Sequence, residues 1–227
     1  MKYILTSSKE IIITYILNYL IIIILALIYT ILGFNNLNHF INTKVSYILL
    51  IFYIITIIYL YNKNKKKEFP LPVKKYFTLV LLGISIACIL NMIIFRIFPP
   101  KITTSPTLLI IISTGIIGPI YEEILFRYLL YNRLKKEYSI KKSIIITTLI
   151  FSISHITPIK IIYSFIIGLL INIIYEKNKN ILSPILIHIS ANIIVIFLYE
   201  YNTYILLLSI ICLILSIKLN PKLLRNS

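Results

Sequence analysis

Eight apolar runs constrain this chain more than any other feature. They cover residues 11–32, 45–61, 76–98, 107–131, 143–159, 161–175, 181–199 and 203–217. Most reach or approach the ~20 residues an α-helix needs to cross ~30 Å of hydrocarbon. Lipid offers no water to a peptide group, so each run must bond its own N–H and C=O, as a helix does. A membrane β-barrel would alternate apolar and polar residues, whereas these runs are continuous. Hydrophobic residues make up 59 % of the chain, mean hydropathy is +0.95 and Asp is absent. That composition excludes a water-soluble domain. The sequence therefore predicts an all-α fold, a polytopic transmembrane helical bundle of about eight spans. Residues 1–227 read as one membrane domain.

Charge sets the expected orientation. The 23 Lys and Arg against seven acids give a net charge of +16. In a soluble chain this would suggest nucleic acid. Here the basic residues lie between apolar runs, so the positive-inside rule accounts for them and no nucleic-acid partner is expected. With eight spans, one side receives Lys2, Lys9, six lysines between 63 and 75, Arg133, Lys135, Lys136, Lys141, Lys142, Lys177, Lys179, Lys218, Lys222 and Arg225. That is eighteen, against four (Lys44, Arg96, Lys101 and Lys160) on the other. The split predicts a multi-pass cell-membrane protein with both termini cytoplasmic. The Asn62–Lys75 loop can also meet anionic head groups, though its topogenic role suffices to explain it. Tyr59, Tyr61, Tyr131, Tyr175, Tyr199 and Tyr201 read as interfacial anchors in a chain without Trp. The first run is longer than the apolar part of a signal peptide and reads as a span. Cys88 and Cys212 are isolated and read as small buried residues, not as a disulfide.

Against this background a few ionisable residues stand out, because such groups are costly within a span and are usually functional. They are Glu122, Glu123 and Arg127 in the fourth run, His155 in the fifth and His188 in the seventh, followed by Asn192. His39, in a loop, carries no such signal. Glu123 and Arg127 are i,i+4 and can pair along one helix face. Glu122 is turned about a quarter to a third of a circle away. Phe151 and His155, and His188 and Asn192, repeat the i,i+4 relation. Counted at ~1.5 Å per residue from the cytoplasmic ends, Glu122 lies about 15 Å deep, His155 about 18 Å, His188 about 10 Å and Asn192 about 16 Å. Any one of them reads equally well as a satisfied core group. A carboxylate, two imidazoles and an amide in one layer read as a site.

The chemistry suits hydrolysis. Glu122 can act as a general base on a water that His155 holds from the other side. His188 and Asn192 are donors suited to an oxyanion. No Ser or Cys is placed as a nucleophile. A second arrangement stays open, with Glu122, His155 and His188 as ligands of a catalytic zinc. Because HExxH is absent, no cofactor is the first expectation and Zn the alternative.

The motifs Glu122-Glu123-Ile-Leu-Phe-Arg127, Phe151-Ser-Ile-Ser-His155 and His188-Ile-Ser-Ala-Asn192 resemble the EExxxR, FxxxH and HxxxN motifs of the CPBP family. These are intramembrane endopeptidases of the Abi type, also described as CAAX proteases and bacteriocin-processing enzymes. The resemblance covers roughly residues 115–195, within an expected catalytic core at 107–199. It implies that Glu122 with His155 activates water, that His188 with Asn192 stabilises the oxyanion, and that Glu123, Arg127 and Phe151 support them. It leaves metal dependence open. It implies a membrane-associated peptide or lipidated protein as substrate. Tyr128 departs from the Gly that many members carry, which puts close helix packing there in question. The first three spans carry no family signal. Two other functions fit the same residues: a bacteriocin-immunity or scaffolding protein without activity, and a transporter with a proton-relay glutamate.

Overall fold

Apolar runs with few internal breakers can only become helices in lipid, and helices are what form. The computed structural model describes residues 2–32, 46–65, 68, 70–99, 107–155 and 157–221. His39, Lys44, Lys66, Lys67, Lys101, Lys222 and Arg225 lie outside the described residues. Among the described residues there are eight helices and no strand: α1 (Lys2–Ile31), α2 (Ser46–Lys63), α3 (Val73–Ile97), α4 (Leu108–Leu134), α5 (Ile140–Ile153), α6 (Pro158–Asn178), α7 (Leu182–Ile196) and α8 (Thr203–Leu219). The first four and α6 are long and apolar enough to cross a membrane, and α7 and α8 are shorter apolar helices.

Two boundaries differ from those expected. The apolar run at 143–159 does not continue as helix, because α5 has 14 residues and stops at Ile153. At 1.5 Å per residue it spans only ~21 Å, short of a full crossing. The following helix was expected at 161–175 but runs for 21 residues from Pro158. Proline fits the first helical position, where its missing N–H costs nothing. His155 therefore sits in the turn after α5, not inside a helix.

Contacts at the helix ends fix the alternation. Arg133 Nη2 lies 3.4 Å from Asn64 Oδ1, and Lys135 Nζ lies 2.6 Å from Glu176 Oε2. Asn132 Nδ2 donates to Tyr175 Oη at 2.6 Å, and the Ile181 N–H is 3.3 Å from the Glu68 carboxylate. The C-termini of α2, α4 and α6 and the start of α7 thus share one end, here called the basic end. At the opposite end Arg96 stacks 5.6 Å from the Tyr201 ring, and the Asn202 N–H points at Met92 Sδ, 3.2 Å away.

The interior holds many polar side chains. Ser85, Thr148, Ser164 and Ser209 bond back to the carbonyl four residues earlier, at 2.6–2.8 Å, and so can face protein without an orphan hydroxyl. Asn172 Nδ2 reaches Thr148 Oγ1 at 2.9 Å and ties α6 to α5. Helix α7 packs on α3, with Gly83 where they meet. A Cβ on Gly83 would collide with Ser190 Oγ and the Ile187 carbonyl, so only glycine permits that approach. Tyr128 does not loosen the packing. Its ring is fully buried and stacks on Tyr61 at 5.3 Å, joining α4 to α2.

Candidate active site

Helix α4 sets up the site through its irregular winding. Wider π-helical turns at Ile111–Ile117 and Ile124–Tyr131 flank an α-helical stretch at Gly118–Glu123. Such turns often occur at functional sites. The first has a local cause. The Gly118 N–H bonds Ser113 O, five residues back. In that register the next carbonyl, Thr114 O, would receive the N–H of residue 119, which is a proline and has none. Asn192 Nδ2 supplies the donor instead, at 3.0 Å.

The two glutamates point apart. Glu123 is fully buried, and its Oε1 accepts from Arg127 Nη1 at 2.8 Å and from His188 Nδ1 at 2.7 Å. The side chain of Glu122 is 29 % exposed, and its Oε2 lies 3.7 Å from His188 Nε2. One imidazole is therefore addressed by adjacent carboxylates, one at each nitrogen. Arg127 also donates to Gly168 O at 3.2 Å and lies over the Phe151 ring, 4.3 Å from its centroid. A Cβ on Gly168 would come within 2.9 Å of Phe151 Cδ1 and 3.3 Å of Arg127 Nη2, so glycine opens that carbonyl to the guanidinium. Phe151 is the common wall, edge-on to Phe126, His155 and His188 at 5.1, 4.9 and 5.9 Å.

Hydrogen bonding assigns the tautomers. Carboxylates and carbonyls only accept, so the Nδ1 atoms of His188 (on Glu123) and His155 (3.0 Å from Phe151 O) carry protons. Each ring then leaves Nε2 as its acceptor when neutral. An imidazole held in this way also suits metal ligation. Among the described residues, however, no three His, Cys, Asp or Glu side chains gather closely enough to hold a metal ion. Glu122, His155 and His188 do not form such a ligand set in this arrangement.

Glu122, His155, His188 and Asn192 line one cavity of about 420 Å³ together with Phe151. Glu123 and Arg127 lie behind it. The cavity does not extend toward the basic end. Its other walls come from the ends of α3 and α7 and the starts of α4 and α6, through Ile94, Val195, Thr114 and Lys160. Sequence reasoning missed Thr114, Asn91, Tyr163, Lys160 and Gly168. Asn91 Nδ2 meets Tyr163 Oη at 3.3 Å in the cavity wall. Asn91 carried the same signal as the histidines, a lone polar side chain in an apolar run.

A bundle with apolar outer faces and a buried cluster of carboxylates, guanidinium and imidazole defines a multi-pass membrane protein with a polar intramembrane site. Residues 104–194 match the family model Rce1-like, described as type II CAAX prenyl endopeptidase Rce1-like. The matched segment carries all three motifs, and the match supports the CPBP/CAAX protease family, a family of hydrolases. No curated protein and no solved structure matches the chain.

Proposed function

We propose that the chain is an intramembrane endopeptidase of the cell membrane that hydrolyses a peptide bond with a glutamate-activated water. The observation that carries this reading is the division of labour between Glu122 and Glu123. Glu123 is locked into Arg127 and His188, whereas Glu122 faces the cavity with no such lock. A water between Glu122 and His155 Nε2 gives its proton to Glu122, and its oxygen attacks the scissile carbonyl carbon. The oxyanion accepts from His188 and from the second N–H of Asn192, whose first is held by Thr114 O. As a donor at Nε2, His188 must carry both protons. The four charges of Glu122, Glu123, Arg127 and His188 then cancel, as a low-dielectric site requires. Collapse of the intermediate breaks the C–N bond, and Glu122 returns its proton to the leaving amine.

The test is purified full-length protein with a membrane-tethered peptide. Glu122→Gln and His155→Ala should each lower turnover at least ~10²–10⁴-fold, the usual share of general acid–base catalysis, without loss of insertion. Wild-type turnover in Glu122→Gln would refute the base assignment. No cleavage by the wild type would favour the immunity or scaffolding function. Exhaustive chelation should leave activity unchanged. Loss of activity that zinc alone restores, with about one zinc per chain, would make Glu122, His155 and His188 ligands.

A further inference from the structure

The cavity has a floor and a direction. Its floor is the layer of Glu122, His155 and His188. Toward the basic end that layer rests on solid packing: Arg127, Tyr128, Leu129 and Tyr131 of α4 are all buried to 1 % exposure or less. The lining stops at Glu122 on α4, Ile167 on α6 and His188 on α7, and no lining residue of these helices lies nearer that end. On the other side the walls rise along Ile94, Ile159, Lys160, Val195 and Ile196, at the α3 and α7 C-termini and the α6 N-terminus. These are the ends remote from the Lys63–Lys75 loop, from Arg133 to Lys142 and from Lys177 and Lys179. They are the four-charge side of the eighteen-to-four split.

The positive-inside rule makes the basic end cytoplasmic. We infer that the cavity is entered from the extracytoplasmic side, and that its substrate is an apolar peptide segment presented at the outer face of the membrane. The identity of what is cleaved rests on the hydrolase reading above; the side of entry does not. A chain at the cytoplasmic face would have to pass the buried Arg127–Glu123 pair and the aromatic plug to reach Glu122. A chain at the outer face meets apolar walls and then the polar floor, the order in which a peptide can be desolvated before its carbonyl reaches the donors.

The experiment places single cysteines in the full-length chain with Cys88 and Cys212 replaced by Ala. Ile159→Cys and Val195→Cys report the cavity from two helices, and Asn62→Cys reports the basic end. All three leave the charge count that sets orientation unchanged. With a membrane-impermeant maleimide, Ile159→Cys and Val195→Cys should label in intact cells, and Asn62→Cys only after permeabilisation. Protection of both cavity cysteines in intact cells, whether or not permeabilisation exposes them, would overturn the inference. So would labelling of Asn62→Cys in intact cells. A quenched fluorescent apolar peptide, added outside intact cells or to inverted vesicles, separates this from the hydrolase reading. Glu122-dependent cleavage only in inverted vesicles would overturn the side of entry. Absence of such cleavage from either side would overturn the hydrolase reading and leave the labelling result standing.

Discussion

The outer and inner helices of this bundle obey opposite rules. Helix α8 turns Leu207, Leu208, Ile211 and Ile214 outward, and its buried residues are two serines, Ser209 and Ser216. Helix α2 buries only Leu60. In the inner set, α4 buries a run from Glu123 to Tyr131 that includes an ion pair and two tyrosines. In water the apolar face would turn inward. In lipid the apolar residues gain nothing by leaving the surface, because acyl chains solvate them as well as protein does. What holds the inner helices together is close packing at Gly83 and Gly168 and hydrogen bonds with no solvent competitor.

That contrast is sharpest where charge is buried, so the largest effect on stability should come from Arg127. Arg127→Ala leaves Glu123 buried beside His188 without its guanidinium, and breaking such a pair costs about 3–5 kcal/mol. Thermal unfolding of the purified protein should show a large loss, whereas Lys218→Ala at the exposed end of α8 should leave the curve unmoved. Equal curves for Arg127→Ala and wild type would mean that the pair does not hold the core. Asn192→Ala should come next. It removes one proposed oxyanion donor, worth ~10²–10³-fold in turnover. It also strips Thr114 O of its side-chain donor, worth about 0.5–1.5 kcal/mol for a hydrogen bond at this exposed position. Turnover and unfolding should therefore both fall. A change in unfolding alone would reduce Asn192 to a helix fastener.

Most of the architecture was legible because apolar run length and lipid leave the backbone one option. All eight helices correspond to runs read from the sequence. The errors have local causes. The run through His155 stays apolar up to Ile159, so hydropathy could not see the chain turn before Pro158. The preference of proline for the first helical position would have placed it. The pairing of Glu123 with Arg127 followed from i,i+4 spacing. Its second bond, to His188, joins residues 65 apart and depends on how α7 packs, which spacing does not encode. The contact of Asn192 with Thr114 was hidden for a different reason. It arises from a register of five residues at Gly118, and helical periodicity assumes four.

The smallest expected effect tests the contrast itself. Leu125 on α4 is fully buried and Leu208 on α8 is 61 % exposed, so the same substitution probes both sides of the rule. In a soluble protein, cutting a buried leucine to alanine costs about 2–5 kcal/mol, part of it lost transfer from water and part the cavity left behind. In a bilayer the transfer part largely vanishes, since the unpacked leucine would face hydrocarbon and not water. The cavity part survives, because neighbouring side chains lose contacts that nothing refills. Leu125→Ala should therefore sit at the low end, about 2 kcal/mol. Leu208→Ala removes contacts with lipid that an acyl chain readily replaces, and its unfolding curve should match the wild type. Reconstituted unfolding in one lipid composition measures both. Equal losses at the two positions would mean that α8 packs against protein on that face, as in a dimer, and that its apolar surface is not a lipid surface at all.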